Sequence, residues 1–147
     1  MGAFSQKELD YLREQWVGRL ATVSRKQIPQ LTPVGFSADE ERLYVNIKHD
    51  STKARNIGRN PRVSFVIDDM PSWEVIRGVS VSGKAELISS GELHEKGRDL
   101  IYEKYPRYEE DYGVREDGWS KYILVITPIK VRSWGLSKDT FTTILFS

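Results

Sequence analysis

The stretch from Tyr44 to Asn56 holds most of the chemistry this sequence can offer. A strand with a polar second face ends near Lys48, and a short helix is predicted over Ser51 to Asn56, capped by Asp50 or Ser51. The first turn of a helix carries unpaired amide N–H groups and a partial positive charge, so it attracts phosphate. Ser51 and Thr52 add hydroxyl donors, and Lys48, Lys53 and Arg55 add formal positive charge. The same residues also describe an ordinary capped helix flanked by solvated cations, and spacing alone does not choose between the two. Hydrolytic chemistry is poorly served: there are two histidines, His49 and His94, and no G-x-S-x-G turn. His49 stands beside Asp50 at a strand end, where it can face a ligand; His94 is expected on the surface of a helix. No residue stands out as a catalytic acid, base or nucleophile. No metal is expected, because neither an H-x-x-x-H pair nor a carboxylate–histidine cluster is present.

The elements that position this segment are legible in outline. Ser5 and Glu8 form a capping box, Phe4 and Leu9 fit the accompanying hydrophobic staple, and Leu9, Leu12 and Trp16 continue one apolar stripe towards a stop at Gly18. Short strands are predicted over Leu20 to Val23, Leu31 to Ser37 and Leu43 to Ile47, as a meander. Gly58 and Pro61 end the small helix. Val63, Phe65 and Ile67 alternate into another strand, and Asp68 to Trp73 is expected as a loop. Val75 to Leu87 is the longest strand candidate, with Gly78 and Gly83 as bends. A second long helix runs from a Ser89–Glu92 capping box to Tyr105, with Leu93, Leu100 and Ile101 on its apolar side. Tyr122 to Thr127, Val131 to Gly135 and Thr140 to Phe146 close the chain as strands, the first two separated by Pro128. Many short antiparallel strands with few helices make the fold mostly β, and bend glycines favour a small barrel.

Length and composition set the outer bounds. The 147 residues fit one domain, 1–147, and 39% apolar content allows a proper core. A net charge of +1 gives no bulk attraction to nucleic acid or an anionic membrane. With no cysteine there is no disulfide scaffold, thiolate nucleophile or Cys-held metal centre. No apolar run approaches the roughly 20 residues of a membrane span, and the N-terminus lacks the features of a signal peptide, so the cytoplasm is expected.

Taken in order, these segments resemble the pyridoxamine 5′-phosphate oxidase-like flavoproteins, and most closely their small FMN- or F420-binding members. The resemblance rests on Arg19-Leu-Ala-Thr-Val23, Pro33-Val34, Leu43-Tyr-Val-Asn46, Ser51-Thr-Lys-Ala-Arg-Asn-Ile57, Asn60-Pro-Arg-Val63, the Gly78 to Leu87 strand and the closing strand with Trp134. It implies a split antiparallel β-barrel of the FMN-binding type. It also implies a homodimer with two cofactor sites in the interface, acting as an oxidoreductase on a small organic molecule. FMN is the first expectation, and F420 or a flavin carrier without turnover are the alternatives. The family's phosphate signature Ser-Arg-Lys-Ala falls on Ser51-Thr52-Lys53-Ala54, with Thr52 in place of the arginine. Asn46 and Ile47 match positions that line the cofactor, and Leu20, Ala21, Thr22, Pro33 and Val34 match strands beside its ring. The segment that reads pyridoxal phosphate in the oxidases has no counterpart here. Trp73 or Trp134 can border the ring from the partner subunit, and Arg77 can reach the cofactor's tail; their ordinary roles are interface or core aromatics and a solvent-facing arginine. Trp119 reads as a core or interface residue, and Tyr102, Tyr105, Tyr108 and Tyr112 as surface or interface residues.

Overall fold

Ser5 opens α1 (Gln6–Glu14) with both halves of its capping box: its hydroxyl accepts from Glu8 N, and Glu8 Oε1 accepts from Ser5 N. Phe4 and Leu9 are both buried, as a staple requires. The helix stops at Glu14, so Trp16 falls beyond it and is 60% exposed instead of continuing the stripe. These details come from a computed structural model that describes residues 2–106 and 121–137. Tyr108, Tyr112, Trp119 and the strand expected over Thr140 to Phe146 lie outside the described residues.

The strands are β1 (Gly18–Val23), β2 (Pro29–Val34), β3 (Phe36–Ala38), β4 (Leu43–Asn46), β5 (Arg62–Ser72), β6 (Val75–Ile88) and β7 (Ile123–Trp134). The remaining helices among the described residues are α2 (Thr52–Arg59) and α3 (Glu92–Lys104). Among the described residues, all pairings are antiparallel in one seven-stranded sheet of order β2-β1-β5-β6-β7-β4-β3. The two edge strands, β2 and β3, are separated in the chain by Gly35 alone. Opposite edges of one sheet can meet within a residue only if the sheet curls round, and this makes the fold a split barrel. The predicted meander is therefore wrong: Leu31 to Ser37 is two strands that pair on opposite edges.

Tyr105, just past α3, pins the switch. Its hydroxyl donates to Trp16 O (2.7 Å), accepts from Phe36 N (2.9 Å) and lies 3.0 Å from Phe36 O. Tyr105→Phe leaves a part-buried amide at the strand break without its acceptor, at a cost of about 2–3 kcal/mol. Urea melts of the two proteins should show that loss at unchanged m-value; equal midpoints would mean the switch holds itself.

Inside the curl lies one large cluster, with Leu20, Phe36, Val45, Phe65, Val81 and Leu124 at its heart. Leu9 and Leu12 of α1 and Ala54 and Ile57 of α2 join it, so these helices plug the interior. A second cluster, Tyr44, Ile101, Ile123 and Val125, sits under α3. Tyr44 was expected on a polar face, but α3 covers that face and Tyr44 is fully buried, its hydroxyl donating to Asp39 Oδ2 at 2.6 Å. Gly97 allows the close approach: a Cβ there would lie 2.6 Å from the Tyr44 ring.

Other expectations shift locally. Asp68 to Trp73 is no loop, because β5 runs to Ser72 and pairs with β6 through a bulge between Asp69 and Ser72. Pro128 does not divide two strands; it sits in the bulge where β7 breaks register beside Gly83. Gly58 lies inside α2, whose C-cap is Asn60. The Ser89–Glu92 capping box does not form, since Gly91 at φ 98° is the N-cap of α3. The buried side of α3 is His94, Gly97 and Ile101, while Leu93 is 36% exposed. His94 is thus a core residue, with Nε2 2.9 Å from Lys121 O.

Candidate functional site

The segment from Asn46 to Arg55 runs from the end of β4 into the start of α2. Ser51 caps α2: its hydroxyl accepts from Ala54 N (3.3 Å) and donates to Lys48 O (2.8 Å). The amides of Thr52 and Lys53 occupy the first two helical positions, which have no intrahelical carbonyl to pair with. Arg55 folds back over the turn, donating to Asp50 O (3.2 Å) and Thr52 Oγ1 (3.4 Å). Lys48 is exposed.

Lys53 differs from its neighbours. It is half-buried, and desolvation holds its ammonium below the usual lysine range. No carboxylate among the described residues pairs with it. A positive charge withdrawn from water and left unpaired is costly, and an anion at the start of α2 would relieve that cost. Asn46 tells a similar story at the end of β4: both Nδ2 and Oδ1 are buried and unbonded within the described residues. An amide offering donors and an acceptor suits a polar heterocycle.

The residues expected beside a flavin ring divide by strand parity. Ala21 faces outward. Beside it lie Leu31 on β2 and Ser64 on β5, and Ser64 pairs in turn with Ser82 on β6. Pro33 lies on the same outer face opposite Arg19, whose guanidinium bonds Asp68 at 2.9 Å. Leu31, Pro33, Ser64 and Ser82 are exposed on this face, whereas α3 packs against the β3–β4 part. Leu20, Val34 and Ile47 point into the core and can offer a ligand only backbone groups. Thr22 is also buried; its hydroxyl donates to Gln30 Oε1 and accepts from Asn56 Nδ2 (both 3.1 Å), tying β1 to α2.

Arg77 and Trp134 sit at the other end of β6. Arg77 makes a two-point pair with Asp69, Nε–Oδ1 2.7 Å and Nη2–Oδ2 3.0 Å, while Tyr11 donates to the same Oδ1 at 2.8 Å. The guanidinium holds Asp69 below the usual carboxylate range, and the arrangement reads as a clamp between α1 and the β5–β6 hairpin. Within one chain, then, Arg77 does not join the α2 segment. Trp134 lies against Gly78, where a Cβ would approach its ring to 2.6 Å, and its Nε1 is buried without a partner among the described residues. Trp73 is 78% exposed at the β5–β6 turn.

Three contributors were not foreseen. Asn56 is a buried mid-helix asparagine, an unusual choice that signals a tertiary hydrogen bond. Tyr122 stacks on His49 with ring centroids 5.0 Å apart, a pairing no local pattern reveals. Ser64, Ser80 and Ser82 keep the outer face low; their parity with Ala21 was readable once the strands were aligned.

Comparison with known proteins decides the lineage. The family described as pyridoxamine 5′-phosphate oxidase matches residues 4–135. The chain belongs to this family. A 5a,11a-dehydrotetracycline/5a,11a-dehydrooxytetracycline reductase of Streptomyces rimosus is 39% identical over 122 residues, 78% of this chain and 86% of that protein. Among solved structures, a conserved hypothetical protein of Mycobacterium tuberculosis aligns with a TM-score of 0.74 at 26% identity, covering 92% of this chain and 88% of its own. An F420 reductase aligns with a TM-score of 0.65 at 23% identity, covering 88% and 98%. The split-barrel fold is thereby established. No helix among the described residues is long and apolar enough to cross a membrane.

Proposed function

We propose that the chain is a homodimeric reductase that holds the phosphate of a flavin-type cofactor at the start of α2 and reduces a small conjugated organic molecule. The observation that carries the cofactor reading is the half-buried ammonium of Lys53, paired by no carboxylate among the described residues, beside the Ser51 cap. The residues fit such a group. Lys53 and the first amides of α2 would take the phosphate, and the unsatisfied amide of Asn46 would take a polar edge of the ring. When bound, the cofactor supplies a two-electron hydride equivalent. The chain's part is to fix the anionic tail, to offer a flat surface around Ala21, Ser64 and Ser82, and to keep water out. The outer face exposes Leu31 at 68% and Ile129 at 64% among the described residues, which supports a second copy as its cover.

F420 becomes the preferred cofactor and FMN the second reading. Lys48, Arg55 and Arg59 are exposed around the same helix and exceed what one phosphate needs, which suits a longer anionic tail. The relative that is 39% identical is a reductase, and the F420 reductase shares the fold. That relative also suggests the substrate class, a polycyclic molecule with a conjugated double bond. The test is turnover: reduced F420 should be oxidised by such an acceptor far faster with the protein than without it. Tight binding without acceleration would leave a carrier in place of an enzyme. Acceleration with reduced FMN alone would favour the second reading.

A further inference from the structure

A cleft between α1 and α3, of about 460 Å³, is lined by Arg13, Ser37, Ala38, Leu100, Glu103 and Lys104. It is separate from the α2 segment. Ser64, beside Ala21, and Asp69, which binds Tyr11 of α1, are five steps apart along β5; at about 3.3 Å per residue that is roughly 17 Å. Its size falls in the ordinary range for small-molecule sites, about 300–1,000 Å³.

Two polar groups sit deep in it. Ser37 is only 6% exposed, and it lines the cleft. Lys104 uses one donor on Leu12 O (3.0 Å), and its ammonium lies 3.7 Å from the centroid of the Phe36 ring. No carboxylate among the described residues pairs with it, and burial lowers its pKa to about 8. Leu12 O belongs to the last turn of α1, so the lysine also serves the helix end. That role and the Phe36 ring account for part of the ammonium's surroundings, and one of its three donors is placed on Leu12 O. At the mouth, exposed Arg13 and Glu103 carry opposite charges and largely cancel. Ala38 and Leu100 supply an apolar wall.

We propose that this cleft is a second ligand site, for a small organic carboxylate whose charged end meets Ser37 and Lys104 and whose apolar body rests on Ala38 and Leu100. An anion there turns a half-satisfied buried ammonium into a paired one, and a charge-assisted bond is about twice as strong as a neutral one. The site stands or falls independently of the cofactor reading.

The experiment titrates the intact protein with isocaproate, and with its neutral amide as control, following backbone amide NMR signals of Ser37 and Leu100. The proposal expects saturable shifts with the acid and affinity weaker by about tenfold or more for the amide. Ser37→Ala and Lys104→Met should each weaken the acid about five- to tenfold, while Lys53→Ala should leave it unchanged. Ser37→Ala keeps the test alive if Lys104→Met fails to fold. No saturation, equal binding of acid and amide, or wild-type affinity in Ser37→Ala would overturn the proposal and leave Lys104 as a helix-end cation.

Discussion

Lys53→Ala should weaken cofactor binding about ten- to a hundredfold, or about 1.5–3 kcal/mol, the worth of a charge-assisted hydrogen bond to phosphate. The same change should leave the ligand-free protein as stable as before or slightly more so. The ammonium is partly stripped of water and has no acidic partner among the described residues, so its removal deletes a cost and not a bond. This opposite movement of affinity and stability distinguishes a binding lysine from a structural one. A variant that melts earlier and binds equally well would place the phosphate elsewhere. Fluorescence titration and thermal melts on the same preparation check both halves.

Asp39→Ala should have the largest effect on the fold, about 3–5 kcal/mol. Asp39 is 8% exposed and organises the β3–β4 turn: Oδ1 accepts from Glu41 N and Arg42 N, both at 2.8 Å, and Oδ2 from the Tyr44 hydroxyl. Lys96 Nζ adds an ion pair at 3.0 Å from a mostly exposed side chain, a minor part of the total because water screens it. Truncation strands a buried phenol and two turn amides. Against a typical total of about 5–15 kcal/mol, such a loss brings the domain close to unfolding at room temperature. Burial opposes ionisation of Asp39, but the Tyr44 hydroxyl and the turn amides outweigh it and hold the carboxyl below its usual range. A carboxyl depressed in the folded state stabilises it above the unfolded value, near 4, and that contribution is lost as pH falls through the lower folded value. Urea melts between pH 7 and pH 3 should therefore show the wild type losing stability while Asp39→Ala changes less. Parallel curves for the two proteins would assign the acid sensitivity to other carboxylates.

Local signals were read well in the sequence. The Ser5–Glu8 capping box and the Ser51 cap involve residues three apart and form as expected. The alternation of Val63, Phe65 and Ile67 predicted a buried strand face, and all three are buried. What escaped reading depends on distant partners. The break at Gly35 exists because the sheet curls and its two edges compete for consecutive residues, a fact with no local signature. Asp68 to Ser72 contains a proline yet stays in a strand, because β6 offers a long partner and a bulge absorbs the irregularity. Ser89 lost its helix to Gly91, whose φ of 98° lets the chain turn off β6 where a side chain would strain. His94 became core because it lies on the buried side of α3, 2.9 Å from Lys121 O. At the site, the phosphate-type helix start was legible from residue types. The orphaned amide of Asn46, the Thr22–Asn56 tie and the His49–Tyr122 stack required the fold.

The measurement that tests the central claim most directly is a binding titration of the purified chain with F420 and, separately, with FMN, each repeated on Lys53→Ala. Saturable binding of at least one by the wild type, tighter for F420 and weakened by the substitution, is the result predicted here. Failure of both to bind the wild-type protein would contradict a flavin-type site at the start of α2.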